Sequence, residues 1–167
     1  MTPLKQEWPQ ELAEIYRAKG YWQGRTFPDL LREQASRYAD RTAVVGGDER
    51  WTYRELEQRA ERAAAGFCAL GLKAGDRVLV QLPNIPEFLA VVFGLFRAGM
   101  VPVFALPAHR LTEIAHFARK SEAAAIVIAD RHDGFDYRDL AAAVQAEVPH
   151  VGHIVVVGEA DGYADFA

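Results

Sequence analysis

Ala125-Ile126-Val127-Ile128-Ala129 is the stretch on which the fold turns. A strand with one wet face alternates apolar and polar residues. An unbroken apolar run followed at once by Asp130-Arg131 instead suits a strand covered on both faces, as in a parallel sheet between helices. The same unit recurs on either side. Strands are expected over Arg77–Leu82, Val101–Ala105 and Ile154–Val157, with helices from Asn84 and Pro86 to about Ala98, over Thr112–Ser121 and over Tyr137–Ala146. The interval from strand to strand, about 25 residues, is long enough for a helical crossover. The predicted fold class is therefore α/β, a helix-flanked and mainly parallel sheet with right-handed crossovers.

Upstream, Pro9–Lys19 reads as a short amphipathic helix with Leu12, Ile15 and Tyr16 on one face and Gly20 as its stop. Thr26, with Asp29 three residues on, caps a second helix whose buried stripe is expected to be Phe27, Leu30, Leu31, Ala35 and Tyr38. Two short strands, Thr42–Val45 and Arg50–Thr52, flank Gly46-Gly47-Asp48, a tight turn. Thr52-Tyr53-Arg54-Glu55 is a capping box. The helix it opens carries Leu56, Ala60, Ala63, Ala64, Phe67 and Leu70 inward and closes at Gly71. The polar tail from Gly158 to Ala167 begins no recognisable element, so the chain is expected to be interrupted there.

The 167 residues fit one domain. Half are hydrophobic and a quarter charged, which suits a packed core and excludes disorder. A net charge of −4 with four lysines offers no basic footprint for nucleic acid. Met1 to Trp8 holds no apolar stretch of signal-peptide type. The longest apolar run, Phe88–Phe96, is nine residues, against the roughly 20 that span a bilayer. A cytoplasmic protein with no membrane partner is expected. Cys68, the single cysteine, excludes an intrachain disulfide and reads as a small core hydrophobe.

Motifs of complete active sites are missing. No G-x-G-x-x-G follows a strand, no Walker loop exists, and neither Ser36 nor Ser121 sits in a nucleophile elbow. Thr26, Thr52 and Thr112 read as helix caps. His150 and His153 have metal-compatible spacing without a third ligand nearby and read as surface residues; His116 reads as structural. His109 differs, because Leu106-Pro107-Ala108-His109-Arg110 follows a strand and precedes a helix. Ligands gather at the carboxyl ends of parallel strands. His109 there either hydrogen-bonds an anionic or phenolic ligand or fixes its own loop, and Arg110 either meets an anion or is an exposed loop arginine. No catalytic, metal-binding or cofactor-binding residue is assigned.

Three stretches form a known pattern in order and spacing. Trp51-Thr52-Tyr53-Arg54-Glu55-Leu56 with Gly71-Leu72-Lys73-Ala74-Gly75-Asp76-Arg77-Val78, then Gln81-Leu82-Pro83-Asn84 with Glu87-Phe88, then Phe96-Arg97-Ala98-Gly99-Met100-Val101-Pro102-Val103, resemble the opening motifs of the adenylate-forming superfamily. Trp8-Pro9, Tyr16-Arg17, Gly20-Tyr21-Trp22, Phe104–Arg110 with Glu113-Ile114, and Gly134–Arg138 resemble its stand-alone aryl-acid adenylating members. Those activate 2,3-dihydroxybenzoate or salicylate for siderophores made by nonribosomal peptide synthesis. The resemblance implies ATP and Mg as cofactors of the full enzyme, none of them bound by this stretch alone. It also implies the rest of the same enzyme and a phosphopantetheine-bearing aryl carrier protein as partners. Residues 1–167 would be the N-terminal portion of the AMP-binding domain. The phosphate loop, acid pocket, ribose-binding aspartate, C-terminal lid domain and its lysine would lie beyond Ala167, leaving the stretch inactive by itself. The alternatives are part of an acyl-CoA synthetase or amino-acid adenylation domain, against which Phe104–Arg110 speaks, and a non-catalytic α/β interaction module.

Overall fold

The computed structural model describes residues 8–166; the N-terminal stretch read for a signal peptide lies, Trp8 apart, outside them. The chain opens with α1 (Gln10–Ala18) and α2 (Phe27–Arg37), then the antiparallel hairpin of β1 (Thr42–Gly46) and β2 (Glu49–Thr52). There follow α3 (Tyr53–Ala69), β3 (Arg77–Gln81), α4 (Pro86–Arg97), β4 (Val101–Phe104), α5 (Leu111–Ser121) and β5 (Ala125–Ala129). A small hairpin, β6 (Arg131–His132) and β7 (Phe135–Asp136), leads into α6 (Tyr137–Glu147), then β8 (His153–Val157) and β9 (Ala164–Asp165).

The main sheet has the order β4-β3-β5-β8-β9, with every neighbouring pair parallel. Its central strand explains the unbroken apolar run. Ile126 and Ile128 pack with Leu79, Ile154 and Val156 against Ile114 and Ala118 of α5 and Leu140 and Val144 of α6. Ala125, Val127 and Ala129 point the other way, with Val78, Val80 and Val155, onto Phe67 of α3 and Val91 and Leu95 of α4. Each such Val or Ile contributes about 1.5–3 kcal/mol when fully buried, so both helical layers are required for the strand to sit between them.

Capping follows the sequence at two of three threonines. Thr26 and Thr52 each accept from the amide three residues on and receive Asp29 or Glu55 in return. Thr112 is not a cap. The α5 cap position is Arg110, whose amide is taken by the Glu113 carboxylate at 3.0 Å, so Thr112 lies exposed within the first turn.

Three further expectations are corrected. The apolar faces of α1 and α2 are largely open: Phe27 is 59% and Leu30 39% exposed, and only Ala13 and Leu31 are buried in the two helices. Periodicity reports a stripe, not whether a partner element covers it. Cys68 is exposed, because it stands one residue, about 100° of helix, past the buried Phe67. The tail does form an element, since β9 joins β8 through Val155↔Ala164 and Val156↔Asp165, with Phe166 packed beside the core. Two residues are too few to show a period of two.

The helices α3 and α4 approach closely at Gly94, where a Cβ would stand 2.6 Å from Ala63 Cβ and 3.1 Å from the Ala64 nitrogen. Arg97 fastens the same seam through Glu57 at 2.5 Å and Glu61 at 3.2 Å. Gly94→Val is expected to cost about 1–3 kcal/mol by overpacking, whereas Gly66→Ala, in open space on α3, gains about 0.5–1 kcal/mol from helix propensity. Equilibrium urea unfolding of both variants checks the pair.

Candidate functional site

The crossovers create a divergence. From β3 the chain leaves through α4 on one side of the sheet to reach β4, and from the adjacent β5 it leaves through α6 on the other side to reach β8. Neighbouring strands whose exits part in this way open a crevice at their carboxyl ends, the usual ligand position in such sheets. Here that edge gathers Gln81–Asn84, the loop Leu106–Arg110, Asp130 and the hairpin after it, and Gly158-Glu159.

The loop Leu106–Arg110 is bonded at almost every residue. The amide of His109 donates to the Leu106 carbonyl at 3.0 Å, closing a turn, and the amide of Leu106 donates to His109 Nδ1 at 3.1 Å. An amide can only donate, so Nδ1 accepts and the neutral ring carries its proton on Nε2. The imidazole and the Phe117 ring meet in a T-shaped contact, 5.2 Å between centroids. Arg110 does not extend as a free cation. Its guanidinium donates to the carbonyls of Pro107 at 2.6 Å and His109 at 2.9 Å and lies over Phe135 at 4.0 Å. Tyr137 Oη donates to the Pro107 carbonyl at 3.0 Å. Beneath them Gln81, 1% exposed, donates from Nε2 to the carbonyls of Leu106 at 3.1 Å and His109 at 3.0 Å.

A second cluster holds the exits of β5 and β8. Asp130 accepts from the amides of Arg131 and Glu159. Those bonds, the Glu159 amide foremost, hold its carboxyl below the usual aspartate range. Gly158, at φ +111°, leaves space for that carboxylate; a Cβ would sit 2.5 Å from its Cγ. Arg138, 8% exposed, bonds Asp136 through both oxygens at 2.9 and 2.7 Å and reaches the Glu159 carbonyl at 2.9 Å. The guanidinium draws Asp136 from 3.8 down to about 2, and the same bond pushes Arg138 upward.

The remaining histidines stand elsewhere. His116 is exposed on α5 beside Phe117, His150 Nε2 lies 3.3 Å from the Ala118 carbonyl, and His153 opens β8 at the amino end of the sheet. Among the described residues no group of three or more His, Cys, Asp or Glu is placed to hold a metal ion, and no helix is long and apolar enough to cross a membrane. A groove of about 370 Å³ opens on the α3/α4 side of β8, lined by Trp51, Arg59, Phe67, Glu87, Val157 and Phe166 among others; none of Leu106–Arg110 borders it.

Sequence reasoning passed over Gln81, Asp130 and Arg138. One signal for Gln81 was available: a glutamine ending a strand otherwise covered on both faces must find partners for its amide. Asp130 and Arg138 carried no such signal for their shared neighbour Glu159, 29 and 21 positions away, which only the folded sheet brings beside them; the Asp136 bond of Arg138 is local, two residues back at the start of the same helix.

Comparison with known proteins bears on the chain as a whole. The model of the AMP-binding enzyme family matches residues 31–165. The chain is 55% identical over 156 residues to a 2,3-dihydroxybenzoate-AMP ligase of Bacillus subtilis, covering 93% of this chain and 29% of that protein. It is 44% identical to a salicyl-AMP ligase / salicyl-S-ArCP synthetase of Mycobacterium tuberculosis, over 95% of this chain and 29% of that protein. The apo structure of MbtA from Mycobacterium smegmatis superposes with a TM-score of 0.90 at 48% identity, over 96% of this chain and 29% of that one. The chain thus spans less than a third of the length of these relatives.

The Asp136–Arg138 pair carries a pH dependence. A carboxyl whose value falls on folding contributes stability that is full above its unfolded value near 3.8 and is lost as pH falls through about 2. Asp136→Asn should therefore lower the urea midpoint at pH 6, and its difference from the parent protein should shrink between pH 4 and pH 2. A difference independent of pH would deny the pair its electrostatic role.

Proposed function

The chain belongs to the AMP-binding enzyme family, and on that premise we propose that it is the N-terminal portion of the adenylation domain of an aryl-acid–AMP ligase. The acid is 2,3-dihydroxybenzoate or salicylate, the two named in the relatives just described. In the full enzyme the aryl carboxylate attacks the α-phosphate of ATP, the bond to pyrophosphate breaks, and an aryl adenylate forms. The acyl group then passes to the phosphopantetheine thiol of an aryl carrier protein, with AMP released, as a step of siderophore assembly. The observation that carries this reading is identity above half along nearly the whole chain to an enzyme of that type.

The family implies ATP and Mg, and the residues described here do not fit them: no acidic cluster suits a metal ion, and the sequence contains no glycine-rich phosphate loop. No step of the reaction is therefore assigned to these side chains. Their contribution is the α/β framework and one loop at its carboxyl edge, where His109 offers Nε2–H to an anionic or phenolic oxygen.

Full-length protein should catalyse ATP–pyrophosphate exchange that depends on 2,3-dihydroxybenzoate or salicylate, and residues 1–167 alone should catalyse none above background. Exchange driven only by amino acids or fatty acids, or aryl-acid-dependent exchange by 1–167, overturns the reading.

A further inference from the structure

We propose that Gln81 is a positioning residue, a buried amide that sets the Leu106–Arg110 loop so that His109 presents Nε2–H to an anionic oxygen of a substrate. This rests on the reading of His109 as a ligand contact given above and adds the group that aims it. In the strand Arg77-Val78-Leu79-Val80-Gln81, Gln81 is the one polar residue that is fully buried. Its side chain lies on the α5/α6 side of the sheet, in phase with Leu79. Both Nε2 hydrogens go to the loop, one to the carbonyl that begins the turn and one to the carbonyl that ends it.

Satisfying those two carbonyls does not require Gln81. Leu106 O also accepts from the His109 amide, and His109 O also accepts from Arg110 Nη1. Meanwhile Gln81 Oε1 is buried with no partner among the described residues, an arrangement that opposes stability. An apolar side chain would suit a strand covered on both faces better. What the amide supplies is a fixed relation between sheet and turn. Tyr137 and Glu113 hold Pro107 and Arg110 from helices α6 and α5, whereas Gln81 ties both ends of the turn to β3 itself. With Leu106 N–H occupying Nδ1, the orientation of the turn is the orientation of Nε2–H. A ring held this way pays no reorganisation when an oxygen arrives.

An anionic oxygen for His109 has three sources in the proposed reaction: the aryl acid, the phosphates of ATP, and the phosphate of the carrier-bound phosphopantetheine. Steady-state kinetics of the full-length enzyme separate them. Gln81→Met keeps length and removes both donors. It should raise KM for one of aryl acid, ATP or carrier protein about tenfold, with kcat nearly unchanged. His109→Ala should raise KM for that same substrate, and the double variant should be no worse than His109→Ala alone, since Gln81 acts through His109. The substrate whose KM moves identifies the source. Gln81→Glu sets a carboxylate against two carbonyl oxygens, so its KM defect should ease as pH falls and the carboxyl gains a proton; it carries the same test if Gln81→Met does not fold. Unchanged KM values in Gln81→Met or Gln81→Glu beside a raised KM in His109→Ala would overturn the positioning role and leave the His109 reading standing. Unchanged KM values in His109→Ala would overturn the His109 reading, and with it the proposal.

Discussion

A strand roofed by helices on both sides has no place for an unpaired polar side chain except at its ends. That constraint governs β3 and β5, which supply Val78, Val80, Ala125 and Val127 to one helical layer and Leu79, Ile126 and Ile128 to the other. Once both layers are required, the parallel order and the helical crossovers follow, because a parallel neighbour is reached only by passing over a face of the sheet. The close seam of α3 on α4 at Gly94 and the packing of α5 and α6 over β5 are two answers to the same demand.

The constraint also displaces polar chemistry to the carboxyl edge. Gln81 stands at the end of its strand, and Asp130 directly follows β5. One uses its amide to hold a turn against the sheet; the other uses its carboxylate to hold the chain as it leaves β8. The edge strand β4 is under less pressure, with Val101 and Phe104 open to solvent, and Pro102 within it carries no amide hydrogen to offer another strand.

The two clusters at this edge are joined through short connections. Tyr137 opens α6 and donates to Pro107, while its neighbour Arg138 is locked to Asp136 and reaches the Glu159 carbonyl. The His109 loop, the β6–β7 hairpin and the exit of β8 are thereby held by residues of one helical turn. Loops held on a rigid scaffold in this way are a common position for binding residues.

The apolar runs at Val78–Val80 and Ala125–Ala129, the caps at Thr26 and Thr52, and the interval between strands determined the fold class, the sheet and most element boundaries, because these depend on nearest-neighbour chemistry and a short period. His109 was legible as a candidate for the same local reason, a polar residue just after a strand. Sequence did not determine that Phe27 and Leu30 stay open, that Cys68 faces water, or that Ala164–Asp165 pairs with β8. Each depends on which distant element does or does not arrive beside it. The same holds for Gln81 and His109, 28 positions apart in the chain and joined only because β3 and β4 lie side by side. Local pattern names the side chains; tertiary packing decides their partners, since a hydrogen bond reaches about 3 Å and only the folded sheet brings such residues that near.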